Sequence, residues 1–170
     1  MTARSFPAIL DPAPILEVCS QYPEVTAKAD YGSDHLRRGR VSWVDDAPLK
    51  ARMWEIVQEI NATYFGFELE GILEPLQYAA YGVGDRFGWH VDMAADQKPY
   101  RKLSLSVQLS APEDYDGGEL EMQLGCWTRQ MPKGRGDVIA FPTWAPHRVE
   151  PVSRGTRHAL VVWAHGAPFR

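Results

Sequence analysis

Leu103-Ser104-Leu105-Ser106-Val107-Gln108-Leu109 alternates apolar and polar residues without a break, the pattern of a β-strand with one buried face. Leu103, Leu105, Val107 and Leu109 are expected to pack under a helix. Ser104, Ser106 and Gln108 then face the other way, toward solvent in an open sheet or toward a polar cavity in a barrel. Working outward, further strands are read over 76–81, 87–92, 119–124, 138–141, 144–149 and 156–163, with turns at 82–84 and at Asp116-Gly117-Gly118. Upstream, Val41-Ser42-Trp43-Val44 reads as a strand, and Asp45-Asp46-Ala47-Pro48 offers capping carboxylates and a proline suited to a first helical turn. Leu49, Met53, Ile56, Val57, Ile60 and Tyr64 follow at helical spacing, widened by Trp54 and Phe65. They predict one amphipathic helix of roughly 16 residues ending near Gly66. A short helix is read around Ile15 to Ser20, and the polar stretch 93–100 as a loop. Many short strands after one helix make the chain mainly β with supporting helices, a sandwich or barrel with the helix packed outside.

Length and composition set bounds. The 170 residues suit a single domain, 1–170, with 1–40 as an N-terminal extension packing on the core. A net charge of −4 leaves no electrostatic footprint for nucleic acid or anionic membrane, so neither is expected as a partner. The basic cluster Arg37-Arg38-Gly39-Arg40 precedes acidic Asp45-Asp46 and reads as a solvated surface turn. Cys19 and Cys126 have no CxxC spacing and are expected to be reduced, which favours the cytoplasm. No apolar run is long enough for a membrane span, and prolines interrupt the N-terminus where a signal peptide would need its core. Oligomeric state is left open.

The chemistry concentrates in two places. Tyr81-Gly82-Val83-Gly84-Asp85-Arg86-Phe87-Gly88-Trp89-His90-Val91-Asp92 ends in His-x-Asp. On a strand, residues i and i+2 share a face, so His90 and Asp92 can offer an imidazole and a carboxylate to one metal ion. Five histidines and 22 acidic residues give about 0.6 such pairs by chance, so the pair alone carries little. The force comes from the ordered set, because His147 supplies a candidate third ligand and Arg157 follows on the last strand. Two His and one carboxylate on one face of an octahedron is the arrangement of non-haem Fe(II) oxygenases. Arg157 shares its strand face with Ala159, Val161 and Trp163. A guanidinium among such neighbours is costly unless an anion pairs with it, and a dicarboxylate co-substrate supplies one.

These residues resemble the Fe(II)/2-oxoglutarate dioxygenases, and among them the prolyl-4-hydroxylase-like branch. The resemblance runs through 76–84 with its Tyr-Gly-x-Gly, through His90-x-Asp92, Asp116-Gly117-Gly118-Glu119-Leu120, Phe141-Pro142 ahead of His147, and Arg157-x5-Trp163. It covers about residues 38 to 165. It implies a double-stranded β-helix, or jelly-roll, core. It also implies Fe(II) on His90, Asp92 and His147, and 2-oxoglutarate with its distal carboxylate on Arg157. Tyr81 stands where such hydroxylases place a tyrosine that hydrogen-bonds the co-substrate. Gln108 stands where some members have a second tyrosine, and Phe87 where relatives often have Tyr.

The implied reaction uses O₂, with ascorbate as an accessory reductant. It hydroxylates a C–H bond of a prolyl or other amino-acyl side chain, or of a small molecule, and releases succinate and CO₂. The prime substrate is then a protein, a peptide or a small molecule. Asp92 favours hydroxylation over halogenation, since related halogenases replace that ligand. An oxidative nucleic-acid demethylase shares the metal set, but its Asn-x-x-Phe-Arg signature is absent. A non-catalytic cupin-like barrel is the third reading, although His-x-His with a following Glu is also absent. His158 is expected to be structural or solvated, and His35 and His165 have no nameable partner. Trp89 and Trp144 flank the metal residues and could line a substrate cleft, but they are read first as core.

Overall fold

The structure is a computed structural model that describes residues 3–27, 36–93 and 100–168. The polar stretch 94–99 and His35 lie outside the described residues. β1 (Arg4–Phe6), α1 (Pro12–Cys19), β2 (Val25–Thr26), β3 (Arg37–Arg38) and β4 (Arg40–Val44) lead into α2 (Ala47–Ile60), which continues as a π turn over Asn61–Phe65. Then come β5 (Leu76–Tyr81), β6 (Arg86–His90), β7 (Arg101–Gln108), β8 (Tyr115–Gly117), β9 (Leu120–Leu124) and β10 (Trp127–Gln130). β11 (Val138–Pro142), β12 (His147–Val149), β13 (Val152–Gly155) and β14 (Arg157–His165) complete the chain.

The strands form a major sheet in the order β1-β11-β7-β14-β5-β4-β2, a minor sheet in the order β10-β9-β12-β6-β3, and a β13-β8 ribbon. From β5 onward the chain passes to β6 in the minor sheet, back to β7 in the major, out to β9, back to β11, out to β12 and home to β14. This alternation between two facing antiparallel sheets is a double-stranded β-helix. The turn at 82–84 hands the chain from the major sheet to the minor one.

Two apolar layers hold the sheets. α1 and α2 cover the outer face of the major sheet, where Ile15, Cys19, Met53, Val57 and Ile60 pack on Leu76, Leu103, Leu105, Val107 and Leu109. α2 forms as its sequence dictates. The Asp46 carboxylate caps it by accepting from the Leu49 amide at 2.7 Å, Pro48 occupies the first turn, and Gly66 closes the π turn at φ 68. Tyr64, expected in the buried stripe, is instead half-exposed and meets Phe6 edge-on at 5.3 Å, because the π turn rotates it off the buried face. Leu105 is fully buried in this layer. Leu105→Ala is expected to cost about 2–5 kcal/mol of unfolding free energy, measured by denaturant titration.

Between the sheets, Val41, Ala79, Tyr81, Ile139 and Phe141 of the major sheet meet Phe87, Leu120, Met122 and Val149 of the minor one. Ser104, Ser106 and Gln108 face this interior and are nearly buried. Of the two options for that polar face, the structure turns it inward, between the sheets, and not toward solvent.

The described part of the first forty residues also packs on the core. β1 extends the major sheet beside β11, and β2 pairs with β4. The basic cluster is not a solvated turn: Arg37 and Arg38 pair with Phe87 and Arg86 of β6, and Arg40 lies in β4. Arg38 and Arg40 do reach the surface, against Asp85 at 3.2 Å and Glu24 at 3.3 Å, whereas Arg37 is only 9% exposed.

Candidate metal and co-substrate site

His90 ends β6 and His147 begins β12, and the two are paired in register. Their rings lie 4.1 Å apart. Asp92 comes after the end of β6, so strand periodicity does not aim it, contrary to the same-face expectation. Its amide donates to the Thr143 carbonyl at 2.9 Å, and the Ser104 hydroxyl donates to its Oδ2 at 2.6 Å. Oδ1 is left facing His90 Nε2 at 3.8 Å and His147 Nε2 at 3.7 Å. One ligand atom from each residue lies within 4.8 Å of the others, the one such group of three among the described residues.

The histidine tautomers are set by their second nitrogens. His90 Nδ1 lies 2.8 Å from the Gly88 carbonyl and His147 Nδ1 lies 3.0 Å from the Ala145 carbonyl. A carbonyl only accepts, so Nδ1 carries the proton in each ring and Nε2 presents its lone pair to the centre. Burial, with His147 nearby, pushes His90 down to about 3 despite Asp92 and the Gly88 bond. Burial alone would raise Asp92, but the two histidines, the Ser104 hydroxyl and the Trp163 indole outweigh it and hold the carboxyl below its ordinary value. Neutral imidazoles and an ionised carboxylate are the forms that bind a cation, so the donor set fits a 2-His-1-carboxylate ion such as Fe(II).

A local irregularity shapes the histidine side of the site. His147 pairs with His90 but Val149 pairs with Phe87, so β6 spends one more residue than β12 over the same stretch. This bulge puts Phe87 on the same face as His90, with the rings stacked at 3.5 Å and 13°. A Cβ at Gly88 would meet the Leu36 side chain at 2.9 Å, which explains the glycine there. Phe141 closes the other flank, 4.7 Å from the His147 ring.

Residues that sequence reasoning did not mark support Asp92. Buried Arg101 donates to the Asp92 carbonyl oxygen at 3.2 Å, lies 3.5 Å over the Trp163 ring, and grips Glu74 through Nε at 2.5 Å and Nη2. His165, for which the sequence offered no partner, accepts from the Leu73 amide at Nδ1 and donates from Nε2 to Glu74 at 2.9 Å. Burial by itself would raise Glu74, but the bonds from His165 and Arg101 bring it down to about 2. In the folded chain Glu74 thus titrates below the ordinary glutamate value of 4.5. The network's contribution to stability is therefore complete above that value and is lost as pH falls toward 2. Glu74→Gln is expected to flatten the pH dependence of stability over that window, read from denaturant melts in stepped acid buffers.

Arg157 opens β14 opposite Tyr81 in register. It is 2% exposed, its Nε and Nη2 have no hydrogen-bond partner, and the Tyr81 ring lies 5.8 Å from the guanidinium. Gln108, also buried, sits on neighbouring β7 opposite Ala159, one inward position along from Arg157. Gly118, at φ 64, lets the chain pass close by, since a Cβ there would meet Arg157 Cδ at 3.2 Å. An unpartnered buried guanidinium is the complement of a carboxylate, so these residues fit the distal end of 2-oxoglutarate. His158, on the opposite face, bonds the Tyr78 hydroxyl at 2.6 Å. Trp89 and Trp144 are exposed rather than core.

A two-sheet β-helix with a His-Asp-His set between its sheets and a buried arginine behind it defines a class, that of the non-haem iron oxygenases using a dicarboxylate co-substrate. The sequence profile of the 2OG-Fe(II) oxygenase superfamily matches residues 76–165. The chain belongs to that superfamily, whose members use Fe(II), 2-oxoglutarate and O₂. It is 32% identical over 118 residues to a PKHD-type hydroxylase of Stutzerimonas stutzeri, across 66% of this chain and 50% of that protein. It is 28% identical over 170 residues to one from Janthinobacterium, across 92% and 75%. The chain thus spans about half the length of the first of these relatives. A Pseudomonas putida prolyl-4-hydroxylase shares the fold at a TM-score of 0.79 and 21% identity, over 97% of this chain and 92% of that one. A Trichoplax adhaerens prolyl hydroxylase in complex with a hypoxia inducible factor peptide fragment does so at 0.78 and 14%, over 96% and 83%. Among the described residues no helix is long and apolar enough to cross a membrane.

Proposed function

We propose that this chain is a 2-oxoglutarate- and Fe(II)-dependent hydroxylase of an unactivated C–H bond in a prolyl or other amino-acyl side chain. One observation carries the reading, the unpartnered buried guanidinium of Arg157 between the same two sheets as the His-Asp-His set. The hydroxylase names of the sequence relatives and the prolyl hydroxylase structures of the same fold support it. The peptide bound to the Trichoplax protein favours a peptide as substrate. Two free cysteines, one buried and one exposed, agree with a cytosolic setting.

In this reading Fe(II) with 2-oxoglutarate and O₂ supplies oxidative decarboxylation to succinate and CO₂, coupled to insertion of one oxygen atom into the substrate C–H bond. The chain's own work is placement. His90 and His147 hold their Nε2 lone pairs on the ion because the Gly88 and Ala145 carbonyls fix their protons. Asp92 supplies the negative charge, steadied by Ser104. Arg157 takes the distal carboxylate of the co-substrate, flanked by Tyr81 and Gln108. Phe87 and Phe141 wall the histidines and keep water from their flanks.

Incubating the Fe(II)-loaded protein with 2-oxoglutarate and ascorbate under air should release succinate slowly, and faster when a proline-containing peptide is turned over. Absence of both slow and stimulated release across a broad peptide and amino-acid panel would overturn the reading.

A further inference from the structure

Besides Arg157, a second buried guanidinium has no acidic partner among the described residues. Arg37 of β3 is nine-tenths buried, and its Nε has no hydrogen-bond partner. Its Nη2 donates to a neutral acceptor, the Gln77 amide oxygen, at 2.6 Å, and its guanidinium lies 4.5 Å from the Phe87 ring centroid. Of the described acidic residues near its strand, Asp85 is engaged with Arg38 and Glu24 with Arg40. No carboxylate pairs with Arg37 among the described residues. A cation–π contact compensates a buried guanidinium only partly.

The position of this charge matters. Phe87 touches Arg37 and stacks on His90 at 3.5 Å, so Arg37 is connected to the metal set through one ring. Gln77, which Arg37 reaches from the opposite sheet, sits on β5 opposite Val161 of β14, whereas Tyr81, four residues along, is opposite Arg157. Four residues of strand are about 13 Å. A five-carbon diacid with one carboxylate at Arg157 and the other end at the metal has no charge left for Arg37. Among the described residues no carboxylate serves it, and the other reactant can supply one.

We propose that Arg37 binds a carboxylate of the prime substrate, beside the C–H bond that is hydroxylated. This rests on the hydroxylase reading above and narrows its substrate class to acids. The carboxylate can belong to a free amino acid or to an aspartyl or glutamyl side chain of a peptide, and the two sources share the chemistry that Arg37 recognises. Carboxylate binding through Nε would complete a guanidinium edge that now carries an unused donor.

Calorimetry on the Zn(II)-substituted protein saturated with 2-oxoglutarate tests this without turnover. One arm titrates the free amino acids, each against its carboxamide. The other titrates blocked peptides with aspartate or glutamate next to proline, each against its asparagine or glutamine counterpart. At least one acid is expected to bind about tenfold or more tighter than its neutral partner. Arg37→Gln should remove that preference and Arg37→Lys should keep part of it, with 2-oxoglutarate affinity changed by less than about twofold. Thermal melts of both variants check the fold. Equal binding of acid and neutral partners in both arms, no binding in either, or a preference that survives Arg37→Gln would each overturn the proposal. Because the zinc protein performs no oxidation, these outcomes are read apart from the succinate assay, which reports on the hydroxylase reading itself.

Discussion

Substituting His147 by alanine is expected to strip the chain of bound Fe(II) and to end succinate release. The imidazole is nearly buried, its Nδ1 is committed to the Ala145 carbonyl, and its Nε2 faces Asp92 Oδ1 at 3.7 Å. No other His, Cys, Asp or Glu among the described residues joins the group that could take its place. Loss of an outer partner of a metal ligand typically costs roughly 10- to 100-fold in affinity, so loss of the ligand itself should cost more. Iron content after desalting and the absorption band of the iron–oxoglutarate chelate measure it. Asp92→Ala should behave alike, and it leaves two facing imidazoles without the carboxylate that attracts the cation. Wild-type iron retention in either variant would remove these residues from the metal site.

Arg157→Met is expected to produce two effects of opposite sign. Truncating a buried charge that pairs with a ligand carboxylate costs about 2–5 kcal/mol of binding, so 2-oxoglutarate affinity should fall by at least about 30-fold. Without ligand, the same change removes a guanidinium that has lost its water and gained no partner at Nε or Nη2. Replacing such a charge by an apolar chain of similar length is neutral or stabilising. The ligand-free variant should therefore melt no lower than the parent, while 2-oxoglutarate no longer raises its melting temperature. A parallel loss of both would make Arg157 a structural residue and not a carboxylate anchor.

Much of this could be read from the chain because it rests on periodicity. Leu103 to Leu109 alternate since one face lies under α2 and the other faces the interior between the sheets, and α2 declares itself through its Asp46 cap and its apolar stripe. The ordered His90, Asp92, His147, Arg157 set was also legible, as a combination that chance rarely supplies. Periodicity hid the rest. Asp92 is aimed by hydrogen bonds to Thr143 and Ser104, residues distant in sequence, and not by strand geometry. The bulge that brings Phe87 onto His90 breaks the two-residue period on which face assignments depend. Arg37 sits in a run of surface-like basic residues and differs from its neighbours only in which way its strand turns it. The Glu74, Arg101 and His165 cluster joins three separate segments, and each member alone looks like an ordinary surface residue.

The metal group draws on both sheets. His90 and His147 belong to the minor sheet, while Asp92 is anchored by Ser104 of the major sheet and by Thr143 in the segment between them. A cation bound there is a staple between layers that otherwise meet through apolar contacts and the Arg37–Gln77 hydrogen bond, and it closes the long loop of chain from Asp92 to His147. A cation held by the folded form and not by unfolded ones stabilises the fold by mass action. Metal supply would then help set how long the folded chain persists, apart from any turnover.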